Sequence, residues 1–470
     1  MREEPVLVAV EGPTIKVFQA QTGLQVSSWP IPADADPKLS PDVKDRSSPP
    51  EKRRRLSPPA EETEEAKSGK STAGRPETGS AGRAWSTIPI LTVSPSGDHV
   101  IVVTGEDKCL RVLELKPDGT LTQLSERFMP KRPCALAVTP DNTTILCGDK
   151  FGDVYSLPIL PREEVTLPLR KGAEASKPFQ PSASKLTVHT QKNLRALEQQ
   201  LRNPRAAQEK SEPSFEHTLL LGHVSMLSDM ILTPPSTDAT AGPRQYLITS
   251  DRDEHIRVSR SLPQTHVIHG YCLGHTSFVS KLCIPSWIPK ILISGGGDDF
   301  LFCWDWLEGR LLHKVPLGLG SNNPNSEENS PQPSDTGRIT VSGICAVPFA
   351  GGLSAHTPGA ILVALEGVSK LLTFSVSMDG ILTPSNAIEL SGNALDVTAA
   401  DDSGKVYVSV DNIHKQGSTK ELRDSAMGSK LVQCFTATNH GALAWEEADD
   451  PITDAINNRD TLGSHCQPKY

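Results

Sequence analysis

Apolar and polar residues alternate along most of the chain in short runs broken by turn residues, at 6–10 and 14–18, 90–93, 100–104, 135–138, 144–147, 339–345, 361–365, 370–376, 395–398 and 406–410. A period of two over four to seven residues, bounded by Gly, Pro, Asp and Ser, predicts half-buried strands. Strand groups of this kind recur near residues 5, 90, 134, 218, 268, 338 and 391. Helical spacing is confined to Leu194, Leu197 and Leu201, a short amphipathic helix ending before Pro204. No run approaches the ~18 apolar residues that cross a bilayer, so no membrane contact is expected.

Two of these groups share a finer pattern. The first opens with Leu220-Leu221-Gly222-His223 and closes with Thr249-Ser250-Asp251-Arg252-Asp253-Glu254-His255-Ile256-Arg257-Val258-Ser259. The second opens with Leu273-Gly274-His275 and closes with Ser294-Gly295-Gly296-Gly297-Asp298-Asp299-Phe300-Leu301-Phe302-Cys303-Trp304-Asp305. A Gly-His pair, a turn with Asp and an apolar strand ending in Trp-Asp form the signature of a WD repeat, one four-stranded blade of a β-propeller. The copies align without a gap, setting Asp253 on Asp298 and Ser259 on Trp304. His223, Asp253, His275 and Asp298 are therefore expected to form the polar network inside their blades, a structural role. Arg257 falls on Phe302. A charge in place of an apolar residue is not required by the blade and points to the surface.

The expected architecture is all-β, one seven-bladed WD-repeat propeller over residues 1–448 with a tail at 449–470. The N-terminal strand is expected to help close the last blade and remove its free edge. Three segments interrupt the pattern: 31–84, 159–216 and 317–337. In the first two, Pro, Ser, Glu and Lys displace apolar residues, which predicts disordered insertions. Lys52, Arg53, Arg54 and Arg55 lie in the first. A basic cluster on an exposed segment suits a nuclear-import receptor and hence a nuclear protein, with a merely solvated charge run as the other reading. Lys192, Arg195 and Arg202 on the short helix, with Arg205 just past its end, leave RNA contact and a solvated rim face both open.

Composition narrows the function classes. The net charge of −9 and pI near 5.8 argue against a broad basic surface that holds nucleic acid unaided. Any RNA contact is expected to be local or shared with a partner. The nine cysteines form no Cys-x-x-Cys pair, so no metal site is expected, and their apolar contexts predict buried, reduced thiols in a reducing compartment. No hydrolase elbow, zinc-protease helix, phosphate loop or dinucleotide fingerprint is present, and Gly295-Gly296-Gly297 falls in a blade turn. No catalytic residue and no cofactor of its own are expected, which leaves binding or scaffolding.

A resemblance narrows this further. Gly222-His223-Val224-Ser225-Met226-Leu227-Ser228-Asp229, the Ser250 to Ser259 run, Cys272 to Ser280, and Gly148-Asp149-Lys150-Phe151-Gly152-Asp153-Val154-Tyr155-Ser156 resemble the WD-repeat non-catalytic subunit of the tRNA (guanine-N(7)-)-methyltransferase. The likeness is concentrated in 134–158 and 218–315. It implies a heterodimer with a catalytic subunit that binds S-adenosylmethionine and makes 7-methylguanosine in the tRNA variable loop, with tRNA met mainly through the complex. It also implies that a basic side chain of the Arg-Asp-Glu strand pairs with an acidic residue of that subunit. Arg257 holds this position, with Lys150 and Arg252 as further contacts on the same face. The competing reading is a propeller scaffold or a ubiquitin-ligase substrate receptor.

Overall fold

The computed structural model describes residues 5–30, 85–161, 215–235, 244–318, 340–349, 358–400, 404–423, 430–439 and 443–458, together with 190, 191, 194, 195, 197 and 198. Lys52 to Arg55, Leu201, Lys192, Arg202, Arg205 and Cys466 lie outside them. The described strands form seven antiparallel sheets, each built from one continuous stretch of the fold. These are the seven blades, and the sequence expectation of a propeller holds. Blade one runs from Val6 to Trp29, blade two from Ile90 to Phe128, blade three from Pro133 to Gly222 and blade four from Leu227 to Cys272. Blade five runs from Val279 to Pro316, blade six from Val341 to Glu389 and blade seven from Asn393 to Glu447.

The core lies between blades because each sheet has two apolar faces and, among the described residues, no layer of helices covers them. Ile248, Ile256 and Val258 of blade four pack on Leu292, Phe300, Phe302 and Trp304 of blade five. Ile293, Leu301 and Cys303 on the other face of blade five meet Ile361, Val363 and Phe374 of blade six. The second strands of blades two to six are accordingly buried almost throughout. Glycine in the blade-five turn follows from this close approach. A Cβ on Gly296 would lie 1.8 Å from the Phe278 carbonyl oxygen, so the triple glycine serves packing.

Blade one departs from expectation. Val6–Glu11 pairs with Thr14–Gln19 and does not enter the last blade, whose four strands all come from 393–447. Ring closure instead uses side chains. Phe18 of blade one packs with Tyr407 and Cys434 of blade seven and with Ile452. Ile452 belongs to helix α1, Pro451–Asn457, in the part of the chain read from composition as a tail. Asp450 caps this helix by accepting from Ile452 N at 2.9 Å, and its other oxygen takes Lys405 Nζ and, at 3.1 Å, the Tyr407 hydroxyl. The helix is short and its apolar positions too few to show a period, so the sequence pattern carries no signal for it.

Both long insertions leave and re-enter at closed necks. Trp29 and Trp85, flanking 31–84, stack at 5.6 Å between ring centroids, and the Arg111 guanidinium covers Trp85 at 4.1 Å. At the second, Phe215 packs with Ile159, and buried Arg127 donates to the Ile159 carbonyl at 2.8 Å. Residues 191, 194, 195, 197 and 198 are helical, with Leu197 buried and Arg195 exposed, in agreement with the spacing of Leu194 and Leu197.

Candidate partner-binding face

The Gly-His loops and the turns between second and third strands meet on one face of the ring, and their polar networks set the geometry there. In blade five, His275 bonds Asp298 at 2.7 Å through Nδ1 and the Ser294 hydroxyl at 2.7 Å through Nε2, while Trp304 Nε1 donates to the same hydroxyl at 2.8 Å. Burial lowers the His275 pKa and Asp298 restores part of it, so a neutral ring is favoured. This is the network expected for His275 and Asp298.

Blade four builds it differently. His223 Nδ1 bonds Asp251 at 2.9 Å and Nε2 meets the Thr249 hydroxyl at 2.8 Å. Asp253, expected in this place, is exposed and contributes only its backbone N–H, which donates to Asp251 at 2.9 Å. The gap-free alignment is correct for the strand, since Thr249 and Ser294 lie opposite Arg257 and Phe302. The error arises because the blade-four carboxylate stands two residues nearer the strand, where it also accepts from His255 N at 3.1 Å and tightens the turn. Burial alone would raise the Asp251 pKa, but its hydrogen bonds, His223 first, bring it below the ordinary value.

The turns then place the candidate cations. Lys150 N donates to the Arg132 carbonyl at 3.1 Å, and Arg252 N donates to the Met226 carbonyl at 2.9 Å. These are the same bond in adjacent blades, so Lys150 and Arg252 occupy equivalent exposed positions. Blade five has Gly297 there, bonded to the Phe278 carbonyl at 2.9 Å, and presents no charge. His223 N donates to the Gly152 carbonyl at 2.9 Å, tying the Lys150 turn to blade four.

Arg257 lies beside this junction, half-buried on the third strand of blade four. Its Nε donates to the Ser259 hydroxyl at 2.8 Å and one terminal nitrogen to the Gly222 carbonyl at 3.3 Å. Among the described residues it has no ion pair. Burial lowers its pKa and nearby Tyr271 opposes the change. The guanidinium has lost part of its water without gaining a carboxylate. Exposed apolar residues occur on the adjoining segments: Val224 is fully exposed, and Tyr271, Leu273 and Met226 are each 40% exposed or more. Tyr271 lies directly opposite Arg257 in the neighbouring strand. Sequence reasoning singled out Arg257, Lys150 and Arg252 but passed over Tyr271 and these exposed apolar residues, whose strand alternation looks like that of any blade.

The described residues hold no cluster of three His, Cys, Asp or Glu that would bind a metal ion. The eight described cysteines are free, six of them buried, and burial pushes the Cys109 thiol up to about 11. The family profile described as the tRNA methyltransferase TRM82 WD40 domain matches residues 7–435. The chain belongs to this family. A relative from Coccidioides immitis (strain RS), the tRNA (guanine-N(7)-)-methyltransferase non-catalytic subunit TRM82, is 62% identical over 97% of this chain and 90% of its own length. The protein of the same name from Aspergillus oryzae is 46% identical over 96% of this chain and 87% of its own. A relative of the same name from Sclerotinia sclerotiorum is 39% identical over 89% of this chain and 85% of its own length. The relatives are named non-catalytic subunits, in agreement with the reading of this chain as a non-enzyme.

Proposed function

We propose that the chain binds and stabilises the catalytic subunit of a tRNA (guanine-N(7)-)-methyltransferase as a heterodimer, and is required for 7-methylguanosine in the tRNA variable loop. In this reading S-adenosylmethionine belongs to the catalytic subunit, tRNA is met mainly through the complex, and the basic cluster Lys52 to Arg55 directs the protein to the nucleus. The names of the relatives support the partnership. The observation that carries the contact is Arg257, a half-buried guanidinium without an ion pair among the described residues, opposite the exposed Tyr271 and with exposed Val224 and Leu273 on the adjoining segments. Arginine and tyrosine with exposed apolar side chains nearby are the composition of an interface hot spot. A carboxylate docking there would complete the desolvated charge, with Arg252 and Lys150 at its margin.

Arg257→Glu is expected to leave the propeller folded and to abolish co-purification of the methyltransferase subunit. Truncating one member of a desolvated charged pair costs roughly 2–5 kcal/mol, at least tenfold in affinity, and charge reversal adds repulsion. 7-Methylguanosine in tRNA falls in parallel. Full pairing by the variant removes the contact. A wild-type chain that captures no methyltransferase, and retains ubiquitin-ligase or chromatin components instead, replaces the reading with a scaffold.

A further inference from the structure

Blade three presents a second surface of different chemistry. Phe151 is 52% exposed at the tip of its turn, with Lys131 Nζ at 4.1 Å and Lys150 Nζ at 5.3 Å from the ring centroid. Arg132 is exposed next to Lys131. Among the described residues none of these three cations forms an ion pair. The turn is held firmly. Asp149 Oδ1 accepts from Phe151 N at 2.7 Å and from Asp153 N at 3.2 Å. Gly152 has φ +92, and a Cβ there would lie 2.4 Å from the Ser225 carbonyl oxygen and 2.6 Å from that of His223. The backbone that carries the aromatic ring is thus held at the surface, where a base can reach the ring.

We propose that Phe151, with Lys131, Arg132 and Lys150, forms a direct tRNA contact, in which an unpaired base stacks on the ring and the cations meet the flanking phosphates. The proposal rests on the family reading for the identity of the RNA, and Lys150, whose turn is tied to blade four through the Gly152 carbonyl, borders both surfaces. Its chemistry differs from that of the Arg257 corner. Lysine is depleted at protein interfaces, where arginine and tyrosine are enriched, whereas an exposed aromatic among unpaired cations is the usual means of holding single-stranded nucleic acid. On a chain with net charge −9 such a site has to be local, and this one is.

The test uses the assembled complex of the full chain and the catalytic subunit, with Phe151→Ala and Lys131→Gln. Partner capture is expected to be unchanged for both. Affinity for a tRNA substrate is expected to fall about tenfold for Phe151→Ala, the scale of one lost stacking contact. For Lys131→Gln the slope of log affinity against log salt is expected to flatten by about 0.7–0.9, one phosphate contact. Unchanged affinity and slope overturn the proposal. Loss of the catalytic subunit also overturns it, by assigning the surface to protein, and leaves the proposed heterodimer standing. Should the wild-type chain capture no methyltransferase, the heterodimer reading fails separately, and the same affinity and salt criteria apply to the chain alone.

Discussion

Arg111 of blade two and Arg257 of blade four stand at the same position of the third strand, and their surroundings are opposite. Arg111 is buried and fully engaged, with Asp107 at 2.7 Å, the Thr104 hydroxyl, and Trp85 beneath its guanidinium. Burial alone would raise the Asp107 pKa, but the bonds from Arg111 and Thr104 hold it below the ordinary carboxylate value. Arg257 finds a hydroxyl and a carbonyl where Arg111 finds an acid and a ring. The blade therefore accommodates arginine here in two ways. One completes the fold, and the other leaves the charge without an ion pair among the described residues.

The sharpest way to break this comparison is to remove both charges at similar volume. Arg111→Met is expected to destabilise the protein by about 3 kcal/mol, because the largely buried Asp107 carboxylate loses its counter-charge and keeps only Thr104 and Cys109, whereas Arg257→Met should cost under about 1 kcal/mol in the free chain. Equal losses in denaturant melts would mean that Arg257 too is structural. A smaller effect separates the two aspartates of blade four. Asp251→Ala is expected to cost about 1–3 kcal/mol by stranding buried His223, and Asp253→Ala at most about 0.5 kcal/mol.

Acidity probes the blade networks without substitution. The His275 pKa is lowered by burial, so in the window just below the ordinary histidine value of about 6.5 the unfolded chain binds the proton first. Stability is then expected to fall as pH drops from 7.5 to 5.5, and His275→Gln should flatten that slope of melting temperature at some cost in the plateau. A melting temperature that rises as the pH drops would show instead that Asp298 holds the histidine charged, and one independent of pH that folding leaves its proton affinity unchanged. The smallest effect is expected from deleting residues 36–80, which should hardly move the melting temperature yet shift the protein from nucleus to cytoplasm in cells. Unaltered localisation removes the import role of Lys52 to Arg55.

The strands and blade count were legible because period-two alternation and the Gly-His, Ser and Trp-Asp positions are local signals that packing imposes directly. Arg257 was legible for a related reason, since alignment with Phe302 exposes a charge the blade does not need. Asp251 was missed because two aspartates lie within three residues, and only turn geometry decides which one reaches His223. The Phe151 platform was hidden because a phenylalanine in a Gly-Asp turn reads as another core residue. Ring closure by Phe18, Tyr407 and helix α1 joins segments some 400 positions apart, a pairing that no window of sequence can show.

The stacked Trp29 and Trp85 have a consequence for how this chain can change over generations. With both ends of the 31–84 stretch clamped side by side, blade one and blade two are indifferent to what lies between, and each doubling of an unstructured insert adds only about 0.6 kcal/mol of closure entropy. The neck therefore serves as a port: residues can be gained, lost or exchanged there, as addresses or tethers, while the seven blades and the Arg257 corner keep their shape.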